Sequence, residues 1–537
     1  MFAPRAQMLL IAAMANLFAF PNWGFATESE TSPASTKSEA VEVTAAACNA
    51  FAIDLYRSLS ESAPDENLFF SPYSLSQSLA MIAEGARGQT AQEIADALHF
   101  PKITTRTSKA TAEDSSSLAP VHTGFATLNE QLNAAQNHPR LDAIRQEIIR
   151  LERQYNELDS KVKEQQHAAM GWFAPSPKSE GEIAKLNKKQ FSKLLRERNR
   201  VAHKRSRIES SIPSSELLSA NSIWGDLSFH FDPEFERTVN QHYGSDGIQS
   251  VDFRSQFDAA RREINSWCSK RTKGHIDSVV PPLSDNVSQK LQLAVVNAVY
   301  FRADWETKFD VAETKLRSFT LANGAKSNTS MMHGPKFSVR YAAFNQDGSA
   351  FFTPEQIRHN QTEGLYPGQE GFSIVELPYR GDEVVMLVIS PNHHAGLGAI
   401  EANLTAEQID EWTQQLKRRE TNVFLPKFRF ESEYDLKPLL VQLGIKQAFG
   451  PTADFTGLDE DEIGQITLGM IRHKTMIDVN ETSTEAAVAT FVGGIFGGPP
   501  MKPFIPDFRA DRPFLYLIRD VASGTILFVG KYAKPAI

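Results

Sequence analysis

The sequence predicts an α+β domain from which an antiparallel helical hairpin and one long loop project. Three observations carry this expectation. Helical apolar spacing over 49–59 and a helix start near Ser71 stand beside strand-like runs such as 514–520. Alternating three- and four-residue apolar steps run from Leu141 to Val162, the pattern of a coiled-coil seam. Residues 492–506 are rich in Gly and Pro with no helical or strand period, and structureless loops beyond about 12–15 residues are usually functional or disordered. The chain has 537 residues, more than the roughly 250–300 that one core usually holds, so a single large domain with additions is expected.

Lys and Arg number 56 against 65 Asp and Glu, a mildly acidic balance that gives no global argument for nucleic acid. Arg5, the apolar run from Met8 to Phe20 and the small residues Gly24 and Ala26 read as a cleaved secretory signal over 1–26, hence a secreted protein, extracellular or periplasmic. The apolar run is shorter than the about 20 residues of a membrane span, and no other stretch could cross, so no membrane partner is expected. Two cysteines, Cys48 and Cys268, exclude a disulfide-stapled scaffold. They read most simply as buried thiols, with one bridge between them left open.

Residues 27–45, rich in Ser, Thr and Glu, read as a disordered spacer ahead of a domain spanning 46–537. A helix over 49–59 follows, then a short strand before Ser71 and a helix with Pro72 in its permitted first turn. Thr90 and Glu93 have the spacing of a capping box. The seam of Leu141, Ile144, Ile148, Leu151, Tyr155, Leu158 and Val162 continues helically over 186–212 through Phe191, Leu194, Val201 and Ile208, with Pro175, Pro177 and Gly181 between. The hairpin is placed at 137–213. Its second arm carries Lys185, Lys188, Lys189, Lys193, Arg196, Arg198, Arg200, Lys204, Arg205 and Arg207 against Glu182, Glu197 and Glu209. That density fits a solvated coiled-coil face or a polyanion site, for nucleic acid, an anionic glycan or an acidic surface. A second insertion, 345–371, reads as surface elaboration; His359 and Glu363 lie four apart but lack a third ligand, so no metal is expected.

The run from Thr484 to Thr490 favours helix by propensity. Laid out as a strand, it places Thr484, Ala486, Val488 and Thr490 on one face and Glu485, Ala487 and Ala489 on the other. The first face is small and uncharged, so it could enter between two strands at little steric cost. No G-x-S-x-G elbow, H-E-x-x-H pair, P-loop or strand-linked G-x-G-x-x-G occurs, so neither an enzyme nor a cofactor is expected.

Several long blocks resemble the serpins: FFSPYSLSQSLAMIAEGARGQTAQEI in 69–94, VVNAVYFRADWETKFDVAETKLRSF over 295–319, LPKFRFESEYDLKPLLVQLGI over 425–445, HKTMIDVNETSTEAAVAT over 473–490 and the closing 508–535. They come in family order outside the two insertions. The resemblance implies three β-sheets with about nine helices, an exposed reactive-centre loop, a monomer, and inhibition of serine, and in some members cysteine, endopeptidases as a suicide substrate. In such members the cleaved loop inserts into the central sheet. The resemblance also implies a hinge at Glu481, with Lys427 closing the sheet top by a salt bridge and Trp305 beneath the entry. Ser71, Ser74, Asn297 and His473 match a hydrogen-bonded cluster at mid-sheet. Ser483 stands where inhibitory members usually have Gly. Family spacing from Glu481 puts the attacked carbonyl at Phe496, hence a chymotrypsin-like target, or at Gly497 before Gly498, hence an elastase- or subtilisin-like one. A non-inhibitory binding, carrier or chaperone role is the competing reading, and charged or bulky hinge residues would be its mark.

Overall fold

The computed structural model describes residues 33–101, 118–134, 141–170, 180–210, 216–228, 230–284, 288, 290–351, 370–459, 466–481 and 505–535. The expected signal at 1–26 lies outside them. Eleven α-helices occur among the described residues, two of which are the long arms of the insertion.

Helix α1 spans Pro33–Ser62, so residues 33–45 are not the spacer that their composition suggested. Ala40, Val41, Thr44 and Ala45 are buried, packed against α4 (Ala119–Ala134). Small residues make this packing close: a Cβ on Gly124 of α4 would lie 2.1 Å from Thr44 Oγ1 and 2.4 Å from the Ala40 carbonyl. Strand β1 (Leu68–Phe70) leads into α2 (Pro72–Gly85), whose N-cap Ser71 accepts from the Ser74 amide. Helix α3 (Gly88–Ala97) is uncapped by any side chain, and Thr90 and Glu93 form no capping box. Thr90 Oγ1 instead accepts the Asp454 amide, and Glu93 accepts those of Lys446 and Gln447, each at 2.7 Å. Tertiary clamping of a distant loop has taken the groups that local spacing assigned to a cap.

The insertion holds α5 (Leu141–Met170) and α6 (Glu180–Ser210). Glu147 pairs with Lys204 and Asp159 with Arg198, an antiparallel order. Leu151, Leu158 and Val201 form a small separate core, with Tyr155, Leu194 and Ile208 against it.

A five-stranded sheet runs β10-β11-β4-β2-β3, made of β2 (Glu216–Asp226), β3 (Ile248–Val251), β4 (Leu293–Arg302), β10 (Phe428–Asp435) and β11 (Leu468–Val479). Strand β4 is buried on both faces: Leu293, Val295, Val299 and Phe301 enter the main core, and Ala294, Val296, Ala298 and Tyr300 enter a second cluster. Helices α7 (Pro233–Tyr243) and α8 (Phe257–Arg271) flank this sheet.

The remaining strands are β5 (Lys315–Thr320), β6 (Lys326–Phe344), β7 (Phe372–Pro378), β8 (Val384–Pro391), β9 (Lys417–Pro426), β12 (Asp507–Arg509), β13 (Phe514–Asp520) and β14 (Ile526–Tyr532). With β1 they form one network of nine strands. Two hydrogen-bonded networks are therefore present among the described residues where three sheets were expected. The 19-residue β6 is the reason: its start pairs with β5, its middle from Met331 to Tyr341 with β9 and its end with β7, so one strand links all three.

Cys48 and Cys268 are both free and buried, in different clusters. Burial pushes each thiol up to about 12, so neither is a reactive thiolate. Of the second insertion, residues 352–369, with His359 and Glu363, lie outside the described part. Among the described residues no group of His, Cys, Asp and Glu could hold a metal, and no helix is long and apolar enough to cross a membrane.

Candidate functional site: a gate at the end of the central sheet

Strands β4 and β11 pair in parallel, from Leu468 opposite Leu293 to Ile477 opposite Phe301. The other neighbours, β10 on β11 and β2 on β4, are antiparallel. The chain leaves β11 at Val479, and two residues later a cluster of side chains holds it. Lys427, one residue beyond β9, donates from Nζ to Glu481 Oε2 at 2.7 Å. Trp305 donates from Nε1 to the Asn480 carbonyl at 2.9 Å, and its ring stacks on Tyr379 at 4.5 Å. Burial, the largest single influence, pushes the Glu481 carboxyl up, but the hydrogen bond and charge of Lys427, together with bonds from the Glu481 amide and Thr314, outweigh it and hold the group below the usual carboxylate range. Glu481 is buried while Lys427 is about half exposed, so the pair is a latch that water reaches from one side.

At mid-sheet the tie is polar. The Ser71 amide donates to His473 Nε2 at 3.0 Å, so the ring proton sits on Nδ1, where it is donated to Asn297 Oδ1 at 2.6 Å. Asn297 Nδ2 donates to Ser74 Oγ, Ser78 Oγ and Asn221 Oδ1 at 2.8, 3.0 and 2.8 Å. Ser71 Oγ donates to the Leu527 carbonyl, anchoring α2 on β14. His473 and Asn297 face each other across the β4–β11 seam in register. Burial pushes the His473 imidazole down to about 3, so it is neutral at physiological pH.

The structure thus brings Ser71, Ser74, Asn297 and His473 into one network, and Glu481, Lys427 and Trp305 into another. Ser78, Asn221 and Tyr379 belong to these networks as well. Asn221 could have been suspected from the polar Ser219–Ala220–Asn221–Ser222 run in an otherwise apolar strand; Ser78 and Tyr379 had no local signal. The hinge residues Ser483, Thr484, Glu485, Ala486, Ala487, Val488, Ala489 and Thr490 and the candidate bond residues Phe496, Gly497 and Gly498 lie outside the described residues. On α6, Lys193, Arg196 and Arg200 are exposed, whereas Lys204 is drawn to Glu147 of α5. The side chains of Lys185, Lys188, Lys189 and Arg207 fall outside the described part.

The central sheet thus has a parallel pair held at one end by an ion pair and tied by buried side chains at its middle. The chain belongs to the serpin family: the model of that family, "Serpin (serine protease inhibitor)", matches residues 46–165 and 148–535, the two matches meeting within α5. Leukocyte elastase inhibitor of Sus scrofa is 30% identical over 92% of this chain and 100% of its own length. Antithrombin-III of Homo sapiens is 27% identical over 91% and 81%. Among solved structures, uncleaved ovalbumin aligns with a TM-score of 0.63 at 21% identity, over 92% of this chain and 100% of its own. Native protease nexin-1 with heparin aligns at 0.63 and 20%, over 93% and 100%. These structural likenesses speak for the fold.

Proposed function

We propose that the protein inhibits serine endopeptidases as a suicide substrate. The observation that carries this reading is the parallel β4–β11 pair with the chain leaving β11 through the Glu481 latch. A segment that turns back at Glu481 is antiparallel to both strands, so it could enter between them and exchange one parallel ladder for two antiparallel ones, which are the more stable per residue. The small face of Thr484, Ala486, Val488 and Thr490 suits that entry. The protease serine Oγ attacks the carbonyl of Phe496, the bond to the Gly497 nitrogen breaks, and the leaving amine takes the proton. Insertion of the freed limb then carries the acyl-enzyme away before water can cleave the ester. A large apolar residue at 496 selects a chymotrypsin-like pocket; attack at Gly497 would select an elastase- or subtilisin-like one. The names of the curated relatives support a serine protease as target.

The test is incubation with chymotrypsin-, elastase- and subtilisin-like proteases, followed by denaturing electrophoresis and mass spectrometry. An SDS-stable complex with cleavage after Phe496 or Gly497 is expected. Clean cleavage without complex for every protease would leave the binding-protein reading instead.

Two further readings accompany it. The outer face of α6 takes a polyanion, because Lys193, Arg196 and Arg200 recur at steps of three and four and form no ion pair among the described residues. Retention on a polyanion column that falls with salt, and is lost on mutating these three to Ala, is expected; unchanged retention refutes it. The protein is exported as a monomer after cleavage beyond Ala26, which N-terminal sequencing of the secreted product and its sedimentation mass would check.

A further inference from the structure

A cavity of about 340 Å³ lies outside the sheet seam, where the ends of α1 and β14 meet the short helix Leu397–Ala402 and the turn between β5 and β6. It shares no lining residue with the latch or the mid-sheet network. Leu321, Leu397 and Pro513 wall it, the last two buried, and Asp65, Asn323 and Gly398 stand exposed at its mouth. An apolar cavity of about 150 Å³ takes up a benzene, so this one has room for a ring with a short side chain. Its volume and mainly apolar walls are those of a small-molecule pocket.

Its charged groups decide what could enter. Lys531 is buried, and its Nζ donates to Ser60 Oγ at 2.6 Å and to the Pro64 carbonyl at 2.9 Å. Lys534 donates to Glu66 Oε1 at 2.6 Å. Both cations are therefore engaged within the protein. Glu401 is engaged through one oxygen alone: Oε1 accepts from Tyr56 at 2.5 Å and from Ser60 at 2.9 Å, and lies 3.8 Å from Lys531 Nζ. Oε2 takes no bond among the described residues, and with the side chain 23% exposed it reaches the open space of the cavity. Three carboxylates, Asp65, Glu66 and Glu401, thus stand against two lysines around the opening, and the free charged atoms are carboxylate oxygens.

We propose that this cavity binds a small organic amine, the ammonium donating to Glu401 Oε2 and the apolar body lying against Leu321, Leu397 and Pro513. A charge-assisted hydrogen bond is roughly twice as strong as a neutral one. Here the carboxylate that accepts it is already fixed by Tyr56 and Ser60, so little freedom is lost on binding. A carboxylic acid of the same shape would face Glu401 and Asp65 with both lysines occupied, so the site discriminates by charge. The inference is independent of the inhibitor reading. Because Glu401 bonds to α1 and lies beside Lys531 of β14, the amine engages a junction that exists only in the folded chain, and thermal unfolding should shift upward with its concentration.

The full chain is titrated with phenethylamine by calorimetry, with phenethyl alcohol and phenylacetate as neutral and acidic probes of similar shape. Saturable binding of the amine is expected, with a dissociation constant on the order of 0.1–1 mM. The alcohol should bind about tenfold more weakly, and the acid not at all. Glu401→Gln should weaken the amine about tenfold and leave the alcohol unchanged. Because Glu401 also holds Tyr56 and Ser60, a second variant leaves that carboxylate alone. A Cβ at Gly398 meets no atom within 4 Å, so Gly398→Leu fills the mouth without strain. It should abolish amine binding while the unfolding midpoint without ligand stays as in wild type. No saturable amine binding up to about 10 mM, equal affinity for the three probes, or unchanged amine affinity in Gly398→Leu or in Glu401→Gln would each overturn the proposal.

Discussion

Acid should loosen the seam between β4 and β11 through one residue. His473 accepts the Ser71 amide at Nε2 and donates from Nδ1 to Asn297, so a second ring proton has no acceptor and would confront a donor. Burial lowers its pKa from 6.5 to about 3 in the folded state. The folded value lies below the unfolded one, so between these two pH values the unfolded chain holds the extra proton and stability falls as pH falls. From pH 7 to pH 5 this single group should cost about 2 kcal/mol, at about 1.4 kcal/mol per pH unit over most of that range. The measurement is the difference between wild type and His473→Gln, so that only this imidazole is read. Gln can supply an amide at similar reach without titrating. Denaturation midpoints at pH 5, 6, 7 and 8 should give curves that converge towards pH 5 by about 2 kcal/mol. Parallel curves would refute the assignment of acid sensitivity to this imidazole.

Three other outcomes follow from the same geometry. Glu481→Gln removes the charge that Lys427 holds; since Lys427 is half exposed, water screens the pair and the cost should stay below about 1 kcal/mol, while spontaneous loop insertion on warming, read by native electrophoresis, should accelerate. In wild type the Glu481 pKa lies below its unfolded value, so the latch contributes above the ordinary carboxylate range and is lost as pH falls through the folded pKa. Gly124→Leu drives a side chain into Thr44 and the Ala40 carbonyl and should cost about 1–3 kcal/mol by overpacking; a neutral result in thermal unfolding would mean that 33–45 does not pack as described. Ala486→Arg places a charge on the inserting face and should convert the inhibitor into a substrate, with the number of inhibitor molecules cleaved per protease trapped rising by at least about tenfold, since a buried unpaired charge is strongly disfavoured.

What was legible in the sequence depended on how far a residue's partners lie along the chain. The latch and the mid-sheet cluster were legible because long motifs resembling one family fixed Glu481, Lys427, Asn297 and His473 together, although Lys427 and Glu481 are 54 positions apart. Local rules failed where tertiary contacts took over. Thr90 and Glu93 have capping spacing but serve the 446–454 loop. Residues 33–45 look solvated because their buried positions are Ala, Val and Thr, small groups chosen for close approach to Gly124 rather than for hydropathy. Strand β6 runs through Gly334 and Pro335, residues that local rules place at strand ends, because the structure takes them up in a bulge between Gly334 and Phe337, with Lys336 at φ 53°.

The choice of a polar tie at mid-sheet bears on how the sheet could open. On the α2-facing side of β4, Asn297 interrupts a row of Val295, Val299 and Phe301. An aliphatic residue there would pack as tightly as its neighbours, and parting the strands would expose an apolar seam that closes again at once. A buried hydrogen-bond network behaves differently: it holds the closed sheet in one register while intact, yet its donors and acceptors can be satisfied again by another backbone. Under the proposed mechanism an entering strand would supply backbone N–H and C=O groups to both edges, and the small, uncharged face of Thr484, Ala486, Val488 and Thr490 would leave the donors and acceptors of Ser74, Ser78 and Asn221 free to pair again.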